Sequence, residues 1–443
     1  MIEREVDMEL ALRFSFQAKW LAATAGAQNE YLLYHSIDTP IISTKRVCGR
    51  SRKETLMSPH PLSPFRLERW FAEFEFVPGI RNLTASGPYD ATTQELLALE
   101  DEGTTQRYLN LGLGYIENPG RESLRQAVSS LYTTLKAEDL QITSGASEAL
   151  FLLTWFVMQP GANIVVEEPC YENLPGVASA LGLEVRRLPL RMEDGWRPNL
   201  EQLARLIDEQ TRLIYLVHPH NPTGSTLQVE QMQAIAQMAE HVGALVVNDE
   251  LFRLIALDGG PTPSIIDIAE HAICIGDMTK PWGLGGLRIG WIASRNHQLL
   301  QRVSQARDYS TMCSSAPGEF LAEVALRHAS QLIAPRLTAA RANREQLAQA
   351  IAQAQAHFRG LPAWQRPQAS YTAFVQLPFP AEAFCRHLAL ERRMLLLPGS
   401  VFGPAYENFI RVGLGGDTQQ FQEGMSILLD ELLRWRERSH MRG

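Results

Sequence analysis

The chain has 443 residues, 45% of them hydrophobic and 20% charged, with a formal net charge of −8; that is long enough for a large buried core and two domains. The acidic balance gives a nucleic-acid partner no electrostatic support, and no apolar run reaches membrane-spanning length. Five cysteines (Cys48, Cys170, Cys274, Cys313 and Cys385) are odd in number and form no Cys-x-x-Cys pair, which argues against a disulfide frame or zinc site and for a cytoplasmic protein with reduced thiols.

Glu3, Glu5, Asp7 and Glu9 precede any apolar stretch, unlike a secretory or transit peptide. Residues 10–25 have the pattern of a helix with a mixed face, and the basic run at 45–53 reads as a solvated face or tail. Residues 1–60 are expected to be an extension, and 1–56 either a flexible segment or a misassigned start. From Pro61 onward, Leu67, Trp70, Phe71 and Phe74 fall on one apolar helix face. Residues 80–90, IRNLTASGPYD, read as a short strand and a turn.

Residues 108–132 contain Gly-Leu-Gly, but Glu117 stands where a dinucleotide fingerprint needs its third glycine. Residues 140–158 read as a strand, a Ser-Gly-Ala-Ser turn and a long apolar helix. The turn suits a phosphate at a helix N-terminus and equally fits an ordinary helix capped by Ser144 or Ser147. Four short apolar runs follow, at 163–169, 213–219, 244–249 and 272–277, each succeeded by a helix-like segment. This rhythm predicts a mainly parallel sheet covered on both faces. Each run ends in polar residues, where open α/β sheets bind ligands. Asn221, Asp249 and Lys280 are spaced by about one βαβ unit each, so they should emerge along one sheet edge.

Lys280 follows the last run and opens a loop with Gly283, Gly285 and Gly286. A lone lysine is ordinarily a solvated amine, but one held at a strand end can form a Schiff base, the use made of it by pyridoxal 5'-phosphate (PLP). Beyond residue 316 lie arginine-bearing helices (Arg336, Arg341, Arg344) and a smaller α/β pattern with strands in ASYTAFVQL, MLLLPGS and ENFIRVGLG.

The segment GDMTKPWGLGGLRIGW (residues 276–291) resembles the lysine segment of the fold-type-I PLP enzymes, the class I/II aminotransferase family. HPHNPTG resembles that family's Asn-Pro-x-Gly, and YIENPGRESLR its Tyr-x4-Gly-x3-Leu-Arg. The resemblance covers about residues 61–436. It implies a large domain with a mainly parallel seven-stranded sheet and a smaller α/β C-terminal domain, divided as an arm at 61–105, a large domain at 106–317 and a small domain at 318–443. It implies PLP held by Gly145, Ala146 and Ser147 at the phosphate, with Arg288 there and Tyr115 reaching the phosphate of a neighbouring subunit. Tyr171 would stack on the ring, Asp249 pair with its nitrogen, Asn221 donate to its phenolic oxygen and Lys280 form the Schiff base. Arg411, with Asn221, would grip the substrate carboxylate; Ser86 and Gly87 would lie on a loop passing the substrate. The implied protein is a homodimer with composite sites acting on an α-amino acid and a 2-oxo acid.

Three positions depart from the family pattern. Asp277 replaces a phosphate-contacting serine, and would repel the phosphate unless it turns away or pairs with an arginine. Pro281 and Trp282 stiffen the start of the lysine loop. Phe252 replaces a tyrosine that donates to the cofactor. The expected activity is transamination; the alternative is elimination, replacement or cyclisation of a modified amino acid. His218 and His220 have no further ligands near them in the sequence, which leaves metal binding unsupported.

Overall fold

Strand β1 (Arg81–Asn82) precedes seven strands that build one sheet: β2 (Leu140–Thr143), β3 (Asn163–Glu168), β4 (Glu184–Pro189), β5 (Thr211–Val217), β6 (Leu245–Asp249), β7 (Ile273–Asp277) and β8 (Gly290–Ala293). The coordinates are a computed structural model describing residues 62–358 and 364–440, without the side chains of 436–440. The expectations for residues 1–60 lie outside the described residues. The sheet order is β2-β8-β7-β6-β5-β3-β4. Its pairings from β7 to β4 are parallel, and β8 runs antiparallel to both β7 and β2.

Side-chain alternation explains why these strands read as continuous apolar runs. On β5, Leu213, Tyr215 and Val217 join one core cluster while Ile214 and Leu216 join another. On β7, Ile273 and Ile275 face the first and Cys274 the second. With period 2 and helices on both faces, no position is left for a polar outward residue.

After β8 the helix Ala316–Arg327 spans the expected boundary at 317/318; its Leu321, Ala322 and Val324 belong to the cluster under the large sheet. The helix Ala329–His357 leads to a second sheet of β9 (Thr372–Gln376), β11 (Leu397–Pro398) and β12 (Phe409–Gly413), antiparallel in the order β11-β12-β9. β10 (Met394–Leu395) pairs instead with β1, in parallel. The helix Arg66–Phe74 buries Leu67, Trp70 and Phe74 in the core that holds these C-terminal strands, and the Trp70 indole N–H donates to the Leu396 carbonyl (3.0 Å). Phe71, expected on the same face, is only half-buried. No helix among the described residues is long and apolar enough to cross a membrane.

Candidate active site

The carboxyl ends of β5, β6 and β7 lie side by side, Val217 opposite Asp249 and Asp249 opposite Ile275. Asp249 is 6% exposed. Its Oδ1 accepts the Leu251 N–H (3.2 Å) and its Oδ2 the Tyr215 hydroxyl (3.2 Å). Tyr215 is opposite Val247, two residues before Asp249 on the same face, so this is a diagonal cross-strand contact. Burial pushes the Asp249 carboxyl up to about 7, against the Leu251 bond that lowers it.

Lys280 lies just past β7, in the single helical turn Thr279–Trp282 rather than in an open loop. Pro281 and Trp282 are both buried in that turn, which accounts for the stiff start. Gly283 ends it at φ 68, and a Cβ there would press on the Tyr89 carbonyl. The Gly283 carbonyl accepts the Ala91 N–H (3.0 Å). That approach brings the 86–90 segment over the lysine, whose Nζ donates to Ser86 Oγ (3.1 Å). Burial lowers the Lys280 pKa, opposed by the charge of Asp277. Asp277 turns toward the lysine turn: its Oδ1 accepts the Thr279 N–H (2.8 Å) and its Oδ2 the Thr279 hydroxyl (2.9 Å).

The helix Ala146–Val157 starts at Gly145, which has φ 76 and caps it with no side chain. Neither Ser144 nor Ser147 caps this helix, contrary to one expectation; the Ser144 N–H instead donates to Glu148 Oε2 (2.6 Å). The first N–H groups of the helix therefore stay open, with the positive end of its dipole. A Cβ at Gly145 would overlap the Arg288 guanidinium. Arg288, at φ 54, donates to the Ser144 carbonyl (3.3 Å) and the Gly285 carbonyl (3.1 Å). A left-handed arginine held by its surroundings is typical of a functional position.

Arg411 lies on β12, 2% exposed. Its Nη1 donates to Asn221 Oδ1 (3.1 Å) and its Nη2 to the Thr84 carbonyl (2.9 Å), while Nε is buried with no partner. Burial pushes its pKa down to about 10. The Tyr171 hydroxyl donates to Glu68 Oε1 (2.8 Å), and its ring packs on Phe65 with centroids 4.8 Å apart.

Ala146, Ser147, Tyr171, Asn221, Asp249, Lys280, Arg288 and Arg411 all line one cavity of about 520 Å³, as do Ser86, Gly87 and Phe252. Tyr115 does not reach it and is 86% exposed. Glu68, Glu75 and Thr279 also line it and were not among the residues expected there. The spacing of Glu68, Phe71 and Glu75 was the available signal, a second helical stripe beside the apolar one. Of the C-terminal arginines, Arg344 pairs with Asp258, Arg341 donates to the Leu257 and Ala256 carbonyls, and Arg336 lies over Tyr89; none lines the cavity. His218 bonds Glu167 (2.7 Å) and His220 bonds Thr223 and the Pro169 carbonyl, so both are structural. Burial pushes His220 down to about 4, and no metal-binding cluster occurs among the described residues.

The model of the family described as aminotransferase class I and II matches residues 82–428. The chain belongs to that family. Among family relatives, it is 30% identical over 378 residues to capreomycidine synthase of Streptomyces vinaceus, covering 84% of this chain and 95% of the relative. A PLP-dependent aminotransferase structure from Streptococcus suis superposes with a TM-score of 0.78 at 28% identity, over 84% of this chain and 98% of that one. The PLP-dependent cyclase OrfR superposes with a TM-score of 0.75 at 28% identity, over 87% and 100%. The protein is accordingly an enzyme of this family with PLP as its cofactor. The residues present fit it: open helical N–H groups and Arg288 suit a phosphate, the carboxylate of Asp249 suits a protonated ring nitrogen, and the desolvated Lys280 amine suits an aldehyde.

Proposed function

We propose that the enzyme transfers the amino group of an α-amino acid to a 2-oxo acid, with Lys280 as the residue that holds PLP covalently and moves the Cα proton. The observation that carries this reading is the convergence of Lys280, Asp249, Arg288 and Arg411 on one cavity at the sheet edge. When bound, PLP supplies an electron sink for charge released at Cα. Asp249 holds the proton on the ring nitrogen, and Gly145, Ala146, Ser147 and Arg288 hold the phosphate. Asn221 donates to the phenolic oxygen and Tyr171 stacks on the ring. Arg411 takes the substrate carboxylate bidentately, Asn221 helping to orient it. Lys280, its pKa lowered by burial, accepts the Cα proton as general base and returns it. The division of the chain near residues 61, 106 and 318 belongs to the same reading.

A second reading keeps this site and changes the outcome to cyclisation of a modified amino acid. It is favoured by the similarity to a capreomycidine synthase and to a PLP-dependent cyclase over nearly the whole length of each. The test is a single-turnover screen of the PLP-loaded enzyme against an amino-acid panel. Accumulation of pyridoxamine phosphate and a 2-oxo acid supports transamination; a cyclised product with the cofactor unchanged supports the second reading.

Two further results are expected. Phe252→Tyr should lower the pH midpoint of the bound cofactor's visible-band titration by about one to two units, because a new donor to a charged oxygen contributes about 1.5–3 kcal/mol and one unit equals about 1.36 kcal/mol. An unchanged or higher midpoint would show that another hydroxyl already occupies that place. The enzyme should also be a homodimer with composite sites. Exposed Leu109, Leu113, Tyr115, Tyr309 and Met312 offer an apolar surface, and Asn118 ties the two segments bearing them by donating to the Ser304 carbonyl (3.1 Å) and Asp308 (2.7 Å). Mixing inactive Lys280→Ala and Tyr115→Ala chains should restore about a quarter of wild-type activity, since half of randomly mixed dimers carry one intact site. A fully active monomer in sedimentation would refute this.

A further inference from the structure

Glu68, Phe71 and Glu75 form one stripe of the first described helix and its continuation, Glu75 keeping helical backbone (φ −63, ψ −36). All three line the cavity. Five carboxylates (Glu68, Glu75, Asp90, Asp249, Asp277) line it against three cations (Lys280, Arg288, Arg411). Most of these charges have an assignment. Asp277 is held by Thr279, Asp249 faces the cofactor ring, Asp90 is exposed, and Arg288 belongs to the phosphate. Glu68 and Glu75 form no ion pair among the described residues: Glu68 accepts the Tyr171 hydroxyl (2.8 Å) and Glu75 the Asn82 amide (3.2 Å), while Lys280 and Arg411, whose guanidinium stands 5.9 Å from the Phe71 ring centroid, act on them only through space. Burial and the neighbouring Glu68 raise the Glu75 pKa, and the Asn82 bond with the charges of Lys280 and Arg411 only partly offsets them. A buried polar atom also lacks a partner here. Arg411 Nε is unsatisfied at 2% residue exposure, as expected of a group whose anion arrives with the ligand. Among the described residues of one chain, no fourth cation lines the cavity to receive a second carboxylate.

We propose that the substrate is an α-amino acid whose side chain ends in a cation, a guanidinium foremost, received between Glu68 and Glu75 over the ring of Phe71. This rests on the reading that Arg411 takes the substrate carboxylate. A bound phosphate and carboxylate add negative charge to an already acidic cavity, and a cationic terminus offsets the two glutamates. A guanidinium can donate to two carboxylates from one plane while that plane lies on an aromatic face; an ammonium is a point charge and fills only part of this arrangement.

The test is calorimetric titration of the full-length, PLP-loaded enzyme with 5-guanidinopentanoate and with hexanoate. Both carry the carboxylate and lack the α-amine, so neither enters the cofactor's chemistry. The guanidino acid should bind about tenfold or more tightly than hexanoate. Glu68→Gln and Glu75→Gln should each reduce that ratio, the double variant should bring it near one, and Glu75→Asp should keep most of it. Equal binding of the two acids, or a ratio unmoved in folded glutamine variants, overturns the proposal. Borohydride fixation of PLP is measured on the same wild-type sample. A preserved guanidino preference without fixation supports this proposal and overturns the Lys280 reading alone. Fixation without the preference overturns this proposal alone.

Discussion

Lys280→Ala should fold and take up PLP, yet release it on denaturation after borohydride treatment, where the wild type keeps it. Turnover should fall by about 10³-fold or more, since one substitution removes both the proposed covalent anchor and the proposed general base. The amine has no substitute nearby: among the described residues lining the cavity, Lys280 is the sole lysine, and a guanidinium is a poor general base. Ser86 Oγ loses only a donor at a half-buried site, so stability should change little. Cofactor still fixed to the variant, read by mass spectrometry, would refute the assignment of Lys280.

Asp249→Asn should act in opposite directions on catalysis and on the stability of the cofactor-free protein. Asparagine cannot hold the ring nitrogen protonated, and removal of such an electrostatic group costs about 10²–10³ in rate. In the cofactor-free state the carboxyl is raised by burial from 3.8 to about 7. Below the unfolded value both states are protonated and nothing is lost. As pH rises from about 4 through 7 the unfolded chain ionises first, so the folded wild type loses up to about 4 kcal/mol that the variant retains. Asparagine keeps an acceptor for the Leu251 N–H and Tyr215 hydroxyl. Urea unfolding at pH 4.5 and 8 measures the difference. A wild type that gains or holds stability relative to the variant over this interval would contradict the raised carboxyl.

The central strands were legible because burial on both faces writes itself as unbroken runs of Val, Ile and Leu. β4 was not: its Glu184, Arg186 and Arg187 belong to the charged edge of the sheet, where one side of the ladder faces solvent. The alignment of Asn221, Asp249 and Lys280 on one cavity follows from strand spacing alone. The partners of those residues do not. Tyr215 reaches Asp249 diagonally on the neighbouring strand, which needs the register. Asp277 was expected to repel the phosphate unless it turned away or paired with an arginine; it turns to Thr279, and that partner, two residues later, was not named from the sequence. Phe71 was grouped with Leu67, Trp70 and Phe74 because 3.6-residue periodicity does not separate adjacent stripes of one helix. Which stripe faces the core is set by the C-terminal strands it packs against. Tyr115 stands outside the cavity of a single chain, and a role for it depends on a second subunit.

The pairing of β1 with β10 bears on the order in which the polypeptide can mature. Trp70 finds its hydrogen-bond acceptor 326 residues later, and the Thr84 carbonyl waits 327 residues for Arg411. During synthesis from the N-terminus the first described helix therefore leaves the ribosome with its apolar stripe exposed, and remains so while the seven-stranded sheet is completed. Closing contacts of such sequence separation is slow, and the waiting surface is open to aggregation meanwhile. A nascent chain arrested before residue 390 would hold Lys280, Asp249 and Arg288 on a finished sheet, still lack Arg411, and leave the helix bearing Glu68 and Phe71 without the strands it packs against.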